Sequence, residues 1–153
     1  MKIFVDADAC PVKEEVYRVA SRYRLEVTVV SNSPFHVPAD SLIRLVIVME
    51  GIDAADDWIV DQITEGDVII TADIPLAARS LQKGAHALGF GGRLFTADNI
   101  GDALATRGLL AGLRERGENN SGPPPFEKRD RSRFLQSLDQ VIQAVRRESV
   151  NRS

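Results

Sequence analysis

Four acids carry the chemistry open to this chain. Asp6 and Asp8 follow the apolar run Ile3-Phe4-Val5 at i, i+2 spacing, and Asp73 follows Asp67-Val68-Ile69-Ile70-Thr71. Asp56 stands in Asp53-Ala54-Ala55-Asp56-Asp57, ahead of an apolar stripe. Carboxylate oxygens are hard donors, so a set of them selects a hard cation such as Mg²⁺ or Mn²⁺. Gathered without a cation, carboxylates repel one another and ionise reluctantly. One or two divalent ions relieve that conflict, activate water and neutralise the charge that develops when a phosphodiester is cut. The expected catalytic and metal-binding residues are therefore Asp6, Asp8, Asp56 and Asp73, with one or two Mg²⁺ or Mn²⁺ ions. Plainer roles exist for each: Asp8 as the cap of the next helix, and Asp53, Asp56 and Asp57 as first-turn acids that complement a helix dipole.

The elements that must position these acids alternate along the chain. Ile3-Phe4-Val5 suits a buried parallel strand. Pro11 suits a first helical turn, and Val12, Val16, Val19, Ala20 and Tyr23 follow at helical spacing. A β-branched strand over 25–30 precedes a loop over 31–40 marked by Pro34 and Pro38. A third strand is expected over 42–49. Asp53 looks like the cap of a helix to about residue 65, with Ala55, Trp58, Ile59 and Ile63 inward. A fourth strand over 67–71, a short helix from Pro75 to about Gly84 and a fifth strand over 85–90 follow. A helix over 99–116 has Ile100, Ala103, Leu104 and Leu110 as core positions, and a loop over 117–128 precedes the last helix. That helix, over 130–148, turns Phe134, Leu138, Val141, Ile142 and Val145 to one side. This order predicts an α/β fold of three α/β/α layers around a mostly parallel sheet of about four to five strands. Ligands in such sheets bind beyond the carboxyl ends of the strands. Asp6, Asp8 and Asp73 share that edge. A helix antiparallel to the strands also begins there, which brings Asp56 to the same cleft.

A length of 153 residues suits one domain, taken as 1–148 with a basic helical part from about 99 and a frayed tail over 149–153. The single Cys excludes an intrachain disulfide and a Cys-rich zinc site, and two His argue against zinc catalysis. No apolar run approaches the roughly 20 residues of a membrane span. Lys2 leads directly into a strand-like run, not into a leader pattern, so a cytoplasmic location is expected. Charge is unevenly spread: residues 107–153 hold ten Lys/Arg against six Asp/Glu, and residues 1–106 hold nine against sixteen. A cation-binding acidic site beside a basic arm suits a polyanion. A solvated helix face is the plainer account of any single Arg.

Three segments resemble the YaiI/YqxD family of small bacterial proteins: Val5-Asp6-Ala7-Asp8-Ala9-Cys10-Pro11-Val12-Lys13, Ala55-Asp56-Asp57-Trp58-Ile59 and Gly66-Asp67-Val68-Ile69-Ile70-Thr71-Ala72-Asp73-Ile74-Pro75-Leu76-Ala77. Asn99-Ile100, Arg107, the Gly-Pro-Pro-Pro loop and Asp130 extend the likeness to about residue 145. Gly89-Phe90-Gly91-Gly92-Arg93 departs from the Pro-Arg-Gly associated with that family there. The family is similar to PIN-like nucleases. The resemblance implies a three-layer α/β/α fold and an acidic Mg²⁺/Mn²⁺ site that cuts RNA or DNA, with RNA placed ahead of DNA. Asp6 matches the acid ending the first strand, Asp56 the acid opening a later helix, and Asp73 the acid of a Thr-x-Asp pattern. Asp8 matches the family's own second acid. No clear counterpart exists for the glutamate that many PIN domains carry after the first strand.

Secondary candidates are Asp53, Asp57, Thr71 and Ser31, and candidate phosphate contacts are Lys13, Arg107, Arg129 and Arg131. Cys10 is expected to be a small buried residue and not a nucleophile. Two other functions compete. Asp6-Ala7-Asp8-Ala9-Cys10 approximates the Asp-x-Asp-x-Thr opening of haloacid-dehalogenase-like phosphatases, with Asp6 as nucleophile and Cys10 in place of Thr. A non-catalytic nucleic-acid or protein-binding module would instead use the basic C-terminal third. The oligomeric state stays open, a homodimer included.

Overall fold

The computed structural model describes residues 1–49, 51, 53–106 and 126–152. Six strands form one sheet: β1 Lys2–Asp6, β2 Glu26–Ser31, β3 Ile43–Ile47, β4 Val68–Ile70, β5 His86–Leu88 and β6 Leu94–Phe95. Their spatial order is β3-β2-β1-β4-β5-β6. Every pairing is parallel except β5 with β6. The helices are α1 Lys13–Tyr23, α2 Ala54–Gln62, α3 Ile74–Gln82, a segment over 100–106 taken as α4, and α5 Lys128–Arg152.

The sheet is covered on both faces, as the alternation of elements predicts. Ile3 and Val5 of β1, with Val27, Val29, Val68 and Ile70, pack against α1 and α5. Phe4, Val30, Ile69 and Ala87 pack on the other face against α2 and α3. Side chains alternate across a strand, so a one-residue slip would exchange the two sets. Asp6 keeps the parity of Phe4, and Thr71 keeps that of Ile69. Both therefore belong to the face that carries α2.

Several boundaries differ from the sequence reading. Helix α1 begins two residues after Pro11, with Val12 at its N-cap and no side-chain cap. It ends at Arg24 in the left-handed region (φ 54°), whose N–H reaches the carbonyls of Ala20 and Ser21. The sheet has six strands because of β6, whose two residues are too few for any periodicity to show. A turn closed by Gly89 N–H donating to the Arg93 carbonyl at 2.8 Å folds β6 back on β5. Trp58 is half-buried, and its ring meets that of Phe4 edge-on at 6.4 Å. Helix α5 runs past the expected end to Arg152. Leu110, Arg107 and the Gly-Pro-Pro-Pro loop lie outside the described residues.

Candidate functional site

The strand order fixes where the acids meet. From β1 the chain steps outward to β2 and β3, then returns through α2 to the other side of β1 as β4. The direction of winding thus reverses between β1 and β4, and such a reversal opens a crevice at the carboxyl ends of the two strands. Asp6 is the last residue of β1, and Thr71 follows the last residue of β4.

Thr71 is fully buried and joins two of the acids. Its Oγ1 donates to Asp6 Oδ2 at 2.7 Å and accepts from the Asp73 backbone N–H at 2.9 Å. Asp73 is the N-cap of α3, where its carboxylate accepts from Leu76 N–H at 3.1 Å and Pro75 occupies the first turn. The helix cap and the candidate ligand are therefore the same side chain.

Asp56 reaches this pair from the first turn of α2. Burial, then the charges of Asp73 and Asp6, a hydrogen bond with Asp73 and the charge of Asp53 push it up to about 7. Asp6 is also raised, first by burial and then by Asp73 and Asp8, while the Thr71 hydroxyl pulls it back. Three acids from separate segments, Asp6, Asp56 and Asp73, thus sense one another directly.

Asp8 stands beside this trio. After Asp6 the chain leaves the sheet through a turn with Ala9 at φ 63° and Cys10 N–H donating to the Ala7 carbonyl at 3.1 Å. The exposed Asp8 carboxylate accepts from Ser31 Oγ at 3.0 Å and from Asn32 N–H at 3.3 Å. It does not cap α1, whose N-cap is Val12. Ser31 thereby acts as a holder of Asp8. Asp53 is the N-cap of α2 but makes no side-chain cap bond, and its charge adds to the pressure on Asp56. Asp57 points elsewhere, into an exposed ion pair with Arg79 at 2.9 Å.

The expected phosphate contacts are placed differently from one another. Lys13 Nζ lies 3.4 Å from the Ala7 carbonyl and 4.6 Å from the centre of the Phe35 ring, close behind the Asp8 turn. Arg129 pairs with Glu127 at 2.9 Å. Arg131 donates to Glu15 Oε1 at 2.9 Å and to the Pro11 carbonyl at 2.6 Å, which ties α5 to the start of α1. Glu15, with Glu14 only a weak candidate for the glutamate of PIN domains, is instead the buried centre of that tie, a role the sequence reading did not give it. The signal was present: position 15 lies on the same helical stripe as Val12, Val16 and Val19, where an acid needs a partner. Cys10 is buried, and burial pushes its thiol up to about 11, so it is a neutral thiol near neutral pH.

The donor set fits a hard divalent cation in residue type. It is not a ready cage: among the described residues no three His, Cys, Asp or Glu stand grouped to hold an ion as they are. Burial and the charges of Asp73 and Asp6 instead hold the Asp56 carboxyl well above its ordinary range. The acids line an open edge of the sheet. A concavity of about 550 Å³, lined by Met1, Leu25, Gly66 and His86, lies at the opposite, amino end of the strands and holds none of them. Among the described residues no helix is long and apolar enough to cross a membrane.

Comparison with known proteins places the chain. A family model described as the uncharacterised bacterial YaiI/YqxD family matches residues 4–144. A UPF0178 protein of Rhodospirillum rubrum is 57% identical over 148 residues, covering 96% of this chain and 99% of its own. One from Parvibaculum lavamentivorans is 54% identical over 146 residues, covering 95% and 96%. A third, from Rhodospirillum centenum, is 53% identical over 151 residues, covering 96% and 98%. No solved structure matches. With a family model spanning most of its length and full-length relatives above half identity, the chain belongs to the YaiI/YqxD family of UPF0178 proteins.

Proposed function

We propose that the protein is a metal-dependent nuclease of PIN-like type, cutting phosphodiester bonds of RNA or DNA at the β1/β4 edge. The observation that carries this reading is the meeting of Asp6, Asp56 and Asp73, from three distant segments, at the point where the winding of the sheet reverses. Burial and the neighbouring carboxylates raise Asp6 and Asp56, which is a standing cost unless a cation or a proton-transfer task uses them.

Asp6, Asp56 and Asp73 would hold Mg²⁺ or Mn²⁺, with Asp8 at the margin. When bound, the ion supplies Lewis acidity and a more acidic water at the scissile phosphate. The chain's own part is orientation and proton control. Thr71 fixes Asp6, and the α3 N-terminus fixes Asp73. Asp56, raised to about 7, would have to lose its proton for a cation to be held, so uptake would strengthen as pH rises through about 7.

Calorimetric titration of Mn²⁺ into the wild type, Asp8→Asn and Asp73→Asn at about pH 8 tests this, followed by Mn²⁺-dependent cleavage of labelled RNA and single-stranded DNA. Binding is expected in the wild type, weakened in Asp8→Asn and lost in Asp73→Asn. A folded wild type that takes up no Mn²⁺, or an Asp73→Asn variant that binds as well, would overturn the metal site. Turnover of a small phosphomonoester through an aspartyl-phosphate on Asp6 would replace the nuclease with the phosphatase.

A further inference from the structure

A second feature lies on the other side of α5. Two concavities of about 440 and 530 Å³ share Ser137 and Gln140, so they form one groove between a flank of α5 and the β5–β6 edge. Both volumes are in the range of small-molecule sites, roughly 300–1,000 Å³. Arg133, Ser137, Gln140 and Arg147 stand at i, i+4, i+7 and i+14, one stripe along the helix, and Arg93 joins them from the turn before β6.

The charge of this groove is what sets it apart. Among the described residues no Asp or Glu lines either concavity, although acids outnumber bases in the whole chain. Asp139 of α5 is turned to the opposite flank, where it accepts from Tyr23 and pairs with Arg22. Among the described residues Arg133 and Arg147 have no ion-pair partner, whereas Arg129 and Arg131 of the same helix do. Gly92, at φ 93°, lets the turn lie against α5: a Cβ there would stand 2.8 Å from the Arg133 backbone. This contact sets Arg93 beside Arg133.

The groove also has a direction. The turn over 89–93 leaves the carboxyl end of β5, the same sheet edge as Asp6 and Asp73. Arg147 and His86 mark the amino end, where Glu65 and Glu148 line the neighbouring concavity and the acid-free surface stops.

We propose that the groove between α5 and the β5–β6 edge holds the backbone of a single-stranded nucleic acid and leads it to the acidic edge. Guanidinium forks of Arg93, Arg133 and Arg147 take successive phosphates. The carboxamides of Gln136 and Gln140 offer both donors and acceptors to base edges. A duplex presents its phosphates from a stiff convex rod, which does not enter a concavity between a helix and a sheet edge. This inference rests on the nuclease reading for the end to which the strand leads.

The test is fluorescence anisotropy with labelled single strands of about twelve nucleotides, RNA and DNA, and with the matching duplex, in EDTA and about 50 mM salt. Wild type is expected to bind single strands ahead of the duplex. Arg133→Glu and Arg147→Glu are each expected to weaken binding about tenfold and to reduce the salt slope by about 0.7 per lost phosphate contact. Arg18→Glu, a charge-matched change on exposed α1 surface, is expected to bind nearly as wild type, with folding of all variants checked by thermal melting. Equal losses in Arg18→Glu and Arg133→Glu, tighter binding of duplex, or no binding by wild type would overturn the groove. Asp73→Asn separates the two readings: it is expected to keep strand binding in EDTA while losing Mn²⁺ uptake. Mn²⁺-dependent cleavage that is unchanged in Arg133→Glu would refute the groove and leave the nuclease standing.

Discussion

Replacing Asp56 by Asn should stabilise the protein above pH 7 in the absence of divalent ions. Burial and the carboxylates of Asp73 and Asp6 push Asp56 from the ordinary 3.8 to about 7. A raised acid is more protonated in the folded chain than in the unfolded one between those values. Stability therefore falls as pH rises from about 4 to about 7, and the whole penalty is present above that range. At about 1.36 kcal/mol per pKa unit the full difference is about 4 kcal/mol. Asp56 is only half-buried, so solvent screening reduces this to about 1–2 kcal/mol. The Asp56→Asn change keeps a polar group facing Asp73 and removes the charge. The expected gain is about 1–2 kcal/mol, or about 3–6 °C in Tm, at pH 8 in EDTA, and none at pH 4. Thermal melts followed by circular dichroism at both pH values read it directly. Mn²⁺ at pH 8 should raise the Tm of the wild type more than that of Asp56→Asn, because a cation relieves the same repulsion. A variant less stable than wild type at pH 8, or an equal shift at both pH values, would refute the claim that charge repulsion raises Asp56.

Two further perturbations probe the frame behind the site. Arg131→Met removes the partner of Glu15, whose other carboxylate oxygen is already buried without a hydrogen bond among the described residues. Because Arg131 is partly exposed, the expected loss in urea denaturation is about 2–3 kcal/mol, below the cost of breaking a fully buried pair. The double change with Glu15→Met should recover part of it, and an undiminished loss in the double variant would show that packing, not charge, is at stake. Gly92→Ala combines a left-handed backbone with a clash against the Arg133 main chain and should cost about 1–3 kcal/mol. Gly91→Ala, with nothing among the described residues within 4 Å of the added Cβ, should stay within about 0.5 kcal/mol, and similar melts for the two would contradict the close approach to α5.

The layers of the fold were legible because the buried strands are long enough to show their chemistry. Ile3-Phe4-Val5, Val27–Val30 and Val68–Ile70 are near-continuous apolar runs, as strands covered on both faces must be. Between them the stripes of α1 and α5 repeat at helical spacing. What escaped was short or contextual. Strand β6 has two residues, and its partner is chosen by the turn over 89–93 and by the flank of α5, neither of which leaves a period in the sequence. Val12, and not Asp8 as its plainer alternative role would have it, is the N-cap of α1, because Ala9 takes a left-handed conformation and turns the chain out of the strand direction.

The site divides along the same physical line. Type and spacing pointed to Asp6, Asp8, Asp56 and Asp73 alike, since strand ends and the start of a returning helix are fixed by connectivity alone. Their ranking is not. Asp8 has the same residue type as Asp6 and lies two positions away, yet Ser31 and Asn32 hold it at the margin, while burial and neighbouring charge act on Asp6. Only register decides this, because Asp6 at the end of β1 stands opposite Val30 on β2 and next to the open end of β4. Arg131 shows the converse. Its sequence neighbourhood is basic and suggests phosphate, but the acid at Glu15, 116 positions away, takes its guanidinium into the fold. Arg133, two residues on, faces the other flank and remains available to a ligand. A helix of that length therefore sends its arginines to different flanks, and on the proposed groove alternate substitution of Arg131 and Arg133 should move stability and strand affinity separately.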